Sequence, residues 1–168
     1  MQSYMIQTLL SYCQKRAIVS IYSDMATPEV FRVGIILSCD TKRTVLYCLD
    51  ETGLFSGIKL LLTGNIYCIQ YCDAYTKEIA AKWKGEIQIP TDVFWQKSDA
   101  LKALLLYWQK KDQTVSFELH NSGTWDVSGR IFSLEADAVV LNAIDDNTGD
   151  GLCVLCYDAI TEINIGRM

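Results

Sequence analysis

The chain has 168 residues, of which half are apolar, and its 15 basic and 20 acidic side chains give a formal charge of −5. This composition is typical of a folded globular protein, and it excludes a disordered tail or a fibrous repeat. The net acidity argues against a protein that wraps nucleic acid through a general basic surface, so a nucleic-acid site would have to be local.

The chain begins with a helical pattern. Apolar residues recur at the spacing i, i+3, i+4, i+7: Ile6, Leu9, Leu10 and Cys13. This spacing predicts an amphipathic helix that ends in the basic pair Lys15 and Arg16, where the helix dipole favours positive charge. Five short segments rich in β-branched and aromatic residues follow and predict five strands: VSIYS, FRVGIILSC, RTVLYCLD, GIKLLLT and NIYCIQY.

A connector follows over residues 74–97. The segment TKEIAAKW predicts a short helix, and GEIQI with a turn at Pro90 and Thr91 comes after it. Because this stretch carries Trp83 and Trp95, we expect it to pack against neighbouring strands rather than form a free tether.

The rest of the chain repeats the first pattern. Leu101, Leu104, Leu105 and Trp108 have helical spacing and precede Lys110 and Lys111. Five predicted strands follow: VSFEL, VSGRIFSL, AVVLNAID, GLCVLCY and AITEINI. The helix ends LLSYCQKR and LLLYWQKK align at a shift of 95 residues, which pairs Arg16 with Lys111. The alignment continues through the strands with single-residue slips, and this indicates a tandem duplication.

The duplication predicts a mainly β protein with three parts: a first domain at 1–73, a partly helical connector at 74–97 and a second domain at 98–168. The length alone would allow one domain or two. Gly34 and Gly129 occupy matching places in the second strand of each copy, where glycine permits a sharp bend. Each copy is therefore predicted to be a small five-stranded antiparallel barrel with an N-terminal helix.

Three segments resemble the Sm and LSm superfamily, and within it the bacterial Hfq branch. LLSYCQKRAIVSIY resembles the family's helix end and first strand, SCDTKRTVLYCLD its signature loop, and VLCYDAITEI its fourth and fifth strands. The resemblance covers roughly residues 5–71 and 98–165. It implies tandem Sm-like (SH3-like) barrels that pair edge to edge through their fourth and fifth strands. In the family six or seven such barrels close a ring. Three chains with two copies each make a ring of six, so the resemblance implies a homotrimer.

The resemblance also implies where RNA would bind. The family's pore loops correspond here to Asp40–Arg43 with Thr63–Asn65 in the first copy, and to Glu135–Asp137 with Tyr157–Ala159 in the second. Neither copy keeps the family's Lys-His pair or its stacking aromatic residue, so we expect the pore site to be lost. The family's basic rim at the helix end is retained. The candidate RNA-binding residues are Lys15, Arg16, Lys42, Arg43, Lys110 and Lys111.

Each basic group also has a plain structural interpretation. The pairs at the helix ends fit ordinary C-terminal helix charge, and Lys42 with Arg43 fits a polar turn. Cys153 and Cys156 have a spacing that suggests a metal or redox motif, but residues three apart on a strand point to opposite faces. We therefore expect no metal and no cofactor at this pair.

The sequence favours a non-enzymatic protein. The single histidine, His120, argues against the common Ser-His and Cys-His hydrolase arrangements, and there is no glycine-rich phosphate loop. We also expect a soluble cytoplasmic protein, because no apolar run spans a bilayer, the start lacks a leader, and the seven cysteines suit reduced thiols. The leading hypothesis is a ring-forming Hfq/LSm-like protein that binds RNA through a basic rim or the first-copy loop. The alternative is an oligomeric scaffold for protein partners that has lost RNA binding.

Overall fold

The computed structural model describes residues 3–85, 87, 100–144 and 151–165. This part of the chain is mainly β, with ten antiparallel strands and three helices. It divides into two compact units, Met1–Ala100 and Leu101–Met168. The predicted boundaries at 73 and 98 stay predictions, and residues 86 and 88–97 of the predicted connector lie outside the described residues.

Unit 1 contains one helix, five strands and a second helix. Its strand order is β5-β1-β2-β3-β4, with antiparallel neighbours throughout. A single 3₁₀ turn, Thr63–Asn65, joins β4 to β5. The elements are α1 (Tyr4–Lys15), β1 (Ile18–Tyr22), β2 (Arg32–Cys39), β3 (Arg43–Leu49), β4 (Phe55–Leu62), β5 (Cys68–Tyr71) and α2 (Ala74–Lys82).

Unit 2 repeats this arrangement. Its strand order is β10-β6-β7-β8-β9, which is the order of unit 1 with each strand replaced by its counterpart. A 3₁₀ turn, Tyr157–Ala159, joins β9 to β10. The elements are α3 (Ala100–Lys110), β6 (Thr114–Leu119), β7 (Val127–Leu134), β8 (Ala138–Ala143), β9 (Gly151–Cys156) and β10 (Ile160–Ile165). The predicted helix and five strands are confirmed in each half.

The predicted closure of each copy into a barrel is not observed as strand pairing. Within the described residues, β4 and β5 at the two ends of the unit 1 order are not paired with each other, and neither are β9 and β10 in unit 2. The short β5, with four residues, uses one edge for its ladder with β1. The order of paired strands within each unit is therefore open.

The core of unit 1 lies between α1 and the sheet. Ser3 caps the helix by accepting a hydrogen bond from the Ile6 backbone N, and Arg16 ends it in the left-handed conformation. The apolar stripe of α1 then packs its buried members, Leu9 and Cys13, against residues such as Val19 and Ile36. Full burial of a side chain of leucine size contributes about 2 kcal/mol, so this stripe fixes the helix on the sheet.

The two predicted bend glycines serve a close approach of strands. A Cβ on Gly34 would lie 2.0 Å from the backbone O of Tyr47, and one on Gly129 would lie 2.3 Å from the backbone O of Asn142. The register shifts just beyond each glycine, between Ile36 and Ser38 in β2 and at the matching place in β7. Such bulges bend a strand, so both copies bend at the same position.

The predicted helix of the connector is confirmed and packs on unit 1. It begins two residues earlier than TKEIAAKW and is capped by Asp73, whose Oδ1 accepts a hydrogen bond from the Thr76 backbone N at 3.0 Å. Ile79 is buried, and the Nζ of Lys82 donates to the backbone O of Glu51 at 3.0 Å. These contacts show that α2 is a structural part of unit 1 rather than a free tether.

Candidate functional site

The β2–β3 turn of unit 1 presents two of the candidate basic residues. The Asp40 Oδ1 accepts hydrogen bonds from the backbone N of Lys42 at 2.8 Å and of Arg43 at 2.7 Å. The Asp40 backbone N also donates to the Arg43 backbone O at 3.0 Å. This carboxylate fixes the turn, so the polar-turn interpretation of the segment is correct at the backbone level. The Lys42 side chain is exposed and that of Arg43 is half-buried.

This turn is joined to the 3₁₀ turn between β4 and β5. The Thr63 backbone N donates to the Lys42 backbone O at 3.1 Å, and the buried hydroxyls of Thr44 and Thr63 lie 2.9 Å apart. The Thr44 hydroxyl also donates to the Cys39 Sγ at 3.4 Å. Burial raises the pKa of the Cys39 thiol, which therefore stays neutral. The two segments that the resemblance assigns to the pore thus lie together.

Unit 2 joins the corresponding turns by the same backbone bonds. The Glu135 backbone N donates to the Ala138 backbone O at 2.8 Å, and the Tyr157 backbone N donates to the Asp137 backbone O at 3.0 Å. The Tyr157 hydroxyl adds a bond to the Glu135 backbone O at 2.9 Å. The charge differs between the copies, because the unit 2 turns carry Glu135, Asp137 and Asp158 with no lysine or arginine. An anionic ligand is therefore disfavoured at the second loop pair.

The helix ends correct one part of the repeat alignment. In unit 1 the left-handed cap is Arg16, whose backbone N donates to the Cys13 backbone O. In unit 2 the matching cap is Asp112, whose backbone N donates to the Gln109 backbone O. The alignment of Arg16 with Lys111 is thus wrong by one residue. The helix end is set by the left-handed residue, and similarity of the amino acids does not locate it.

The correction changes the charge expected at the second helix end. Asp112 stands where unit 1 has Arg16, and its carboxylate is 3.2 Å from the Nη1 of Arg130. Lys15 and Lys110 are exposed as the last residues of α1 and α3, and Lys111, directly after α3, is exposed as well. The six candidate residues thus lie on three elements: the end of α1, the β2–β3 turn and the end of α3.

A cluster of four aromatic rings in unit 1 did not emerge from the sequence. The Tyr22 ring centroid is 5.1 Å from that of Phe31 and 6.3 Å from that of Tyr67, and Phe31 meets Tyr75 edge-on at 5.5 Å. We call these four residues the aromatic cluster. Tyr67 and Tyr75 are 38% and 39% exposed. Only the pairing of β1 with β5 and the packing of α2 bring these residues together, so no local sequence signal identifies them.

The strands at the two ends of each unit's order differ in exposure. In β9, Leu152 and Val154 are 64% and 66% exposed, whereas their counterparts in β4, Ile58 and Leu60, are 0% and 5% exposed. In β5 Tyr71 is 48% exposed, and the other residues of this strand are half-buried or exposed, whereas four of the six residues of β10 are buried. The uncovered strand is therefore β5 in unit 1 and β9 in unit 2, and these two strands do not correspond to each other in the repeat.

Cys153 and Cys156 are free thiols on β9. Within the described part of the chain, no group of three or more His, Cys, Asp or Glu side chains is placed to hold a metal ion. None of the described helices is long and apolar enough to cross a membrane.

No protein-family model matches the chain. No curated protein and no solved structure matches it.

Proposed function

We propose that this protein is a non-enzymatic tandem Sm-like protein whose chains assemble edge to edge into a closed homotrimer and serve as a scaffold. The connection between β4 and β5 supports barrel-like curvature in unit 1. Strands at opposite ends of a flat five-stranded order lie about 19 Å apart. Residues Thr63–Tyr67 include a 3₁₀ turn, which rises only about 2 Å per residue, so they reach across only if the sheet is strongly curved.

The exposure of β9 is the observation that carries the proposal. An edge strand with exposed Leu152 and Val154 presents unpaired backbone groups and apolar side chains, which proteins cover by pairing. The matching residues of β4, Ile58 and Leu60, are buried. Apolar side chains at these two positions are therefore suited to a strand that is covered. β5 is the complementary uncovered edge. We place β9 of one chain against β5 of the next.

An interface between two different edges is heterologous, so assembly continues until a ring closes. The resemblance gives six barrels to a ring, and two barrels per chain make this three chains. In such a ring the first-copy turns with Lys42 and Arg43 alternate with second-copy turns that carry only acids. This alternation opposes a continuous path for RNA around the pore and favours the scaffold function.

The oligomer is tested by light scattering on size-separated full-length protein. We expect a mass of three times the 19.0 kDa of one chain. Val154→Lys places a charge on the uncovered edge and reduces the mass to that of one chain. Leu106→Lys is the matched control, since Leu106 is an exposed leucine on α3, and it keeps the trimer. A wild-type monomer, or a Val154→Lys trimer, refutes the assembly.

RNA binding is the second candidate function, favoured by the exposure of Lys15 at the helix end and Lys42 at the fixed turn. It is tested by fluorescence anisotropy with labelled oligouridine at two salt concentrations. RNA bound at this surface loses affinity as salt rises, and Lys15→Glu with Lys42→Glu weakens it further. Lys77→Glu, an exposed lysine on α2, is the control. The absence of salt-sensitive binding to the wild-type trimer leaves the scaffold as the function.

A further inference from the structure

We propose that the aromatic cluster of unit 1 is a docking site for an extended, proline-bearing basic peptide of a partner protein. The four rings form an unbroken series from Tyr67 through Tyr22 and Phe31 to Tyr75, with centroid spacings of 6.3, 5.1 and 5.5 Å. Proline-rich peptides in the polyproline II conformation bind along rows of aromatic side chains, because they need little further ordering and present flat apolar faces.

The rings are held in place before any ligand arrives. The Tyr67 hydroxyl donates to the Pro28 backbone O at 3.0 Å, which ties the loop between β1 and β2 to the start of β5. The Tyr22 hydroxyl donates to the Gln70 Oε1 at 3.2 Å. A fixed surface of this kind loses little side-chain entropy on binding. Beside it, Met25 and Val30 extend the apolar surface, with 76% and 48% of their area exposed.

The charge beside the rings selects a cation. Residues 23–31 contain Asp24 and Glu29, which are both exposed, whereas the basic residues nearby are the half-buried Arg32 and the buried Lys59. The Thr27 hydroxyl, followed by the Ala26 backbone N, holds the pKa of Asp24 below its usual value, and the charge of Lys59 also lowers this pKa, so the carboxylate is ionised at neutral pH. Desolvation raises the pKa of the Tyr67 hydroxyl, and the negative charges of Asp24 and Glu29 contribute in the same direction. The arginine side chains of such a peptide meet the two exposed carboxylates and the ring faces.

The second copy shows that the fold does not require these rings. By the repeat alignment, Tyr22 corresponds to Glu118 and Tyr67 to Thr161, and the Thr161 hydroxyl donates to the Glu118 Oε1 at 2.7 Å. Phe31 corresponds to Asp126, whose Oδ2 accepts a hydrogen bond from the Leu119 backbone N. Hydrogen-bonded polar side chains thus occupy the corresponding positions in unit 2. The aromatic cluster is therefore a property of unit 1 and not of the barrel pattern.

The test is binding of labelled peptides to the full-length protein by fluorescence anisotropy. A peptide of repeating Pro-Pro-Arg binds, and one of repeating Pro-Pro-Glu does not. Tyr75→Ala weakens the Pro-Pro-Arg affinity at least about tenfold, as expected when an exposed aromatic side chain that contacts the peptide is truncated. Phe132→Ala is the matched control, because Phe132 is an exposed phenylalanine of unit 2, and it leaves the affinity unchanged.

A second variant keeps all four rings. Asp24→Asn with Glu29→Gln weakens Pro-Pro-Arg binding and reduces its dependence on salt. The proposal is overturned if Tyr75→Ala binds like the wild type, if both peptides bind equally, or if oligouridine takes the site in a Tyr75-dependent manner. Val154→Lys, which disrupts the proposed trimer, binds the peptide like the wild type. The peptide test is therefore independent of the oligomeric state.

Discussion

Replacing Gly34 by alanine tests the close approach of β2 and β3. A Cβ at this position would lie 2.0 Å from the Tyr47 backbone O, whereas Cβ atoms essentially never approach other heavy atoms closer than 3.0 Å. The obstacle is backbone of the neighbouring strand and not the end of a flexible side chain. The two strands must therefore separate by about 1 Å, which exceeds the range within which an N–H···O hydrogen bond survives.

The expected loss of stability follows from this displacement. Forcing a methyl group into a filled site costs about 1–3 kcal/mol. Two ladder hydrogen bonds around the pair of Gly34 and Cys48 add about 1 kcal/mol each. We therefore expect a loss of about 3–5 kcal/mol, a large part of the stability of a domain of this size. Gly129→Ala, with 2.3 Å to the Asn142 backbone O, has a similar effect in unit 2.

The assay is urea unfolding monitored by circular dichroism, with hydrogen exchange of the β2 and β3 amides to locate the effect in unit 1. Gly64→Ala is the control, because a Cβ at that position meets no atom within 4 Å. This control changes stability by less than about 1 kcal/mol. If Gly34→Ala is as stable as Gly64→Ala, the close-approach argument is wrong.

Two further predictions concern polar contacts. Thr44→Val removes the buried partner of the Thr63 hydroxyl and lowers the free energy of unfolding by about 1–2 kcal/mol. The double variant Thr44→Val with Thr63→Val loses less unfolding free energy than the sum of the two single variants. A double-mutant cycle in urea measures this coupling, and strictly additive values contradict it. Hydrogen bonds from threonine or serine hydroxyls hold the pKa values of Asp24, Asp73 and Asp126 below 3.8, so their stabilising contribution is complete above that pH and is lost as the pH falls through the lowered values. Replacing all three by asparagine reduces the steepness of acid unfolding, and a curve identical to the wild type counts against this assignment.

Local patterns in the sequence identify the elements of both units but not their closure or their surfaces. Helical spacing and turn residues act over a few positions, which is why α1, α3 and the ten strands are confirmed. The alignment of Arg16 with Lys111 is wrong by one residue, because the similar sequences of the two helix ends conceal a shift of the left-handed cap to Asp112.

The functional surfaces depend on contacts between distant segments. Tyr22, Phe31, Tyr67 and Tyr75 form one cluster only after β1 pairs with β5 and α2 packs on the sheet. The exposure of β9 likewise cannot be read from GLCVLC, because β4 has a similar apolar pattern and is buried. The sequence therefore predicts which strands exist, and the tertiary structure determines which of them are uncovered.

The bonds that join the turns in each unit have a consequence for divergence. Thr63 to Lys42 and Tyr157 to Asp137 are backbone-to-backbone contacts, so the shape of each loop pair does not depend on the side chain of the accepting residue. One copy carries Lys42 at this position and the other carries Asp137, with the same backbone bonds at the turn. Charge at the accepting position is therefore interchangeable, and an exchange of Lys42 and Asp137 between the two copies is one that the backbone tolerates.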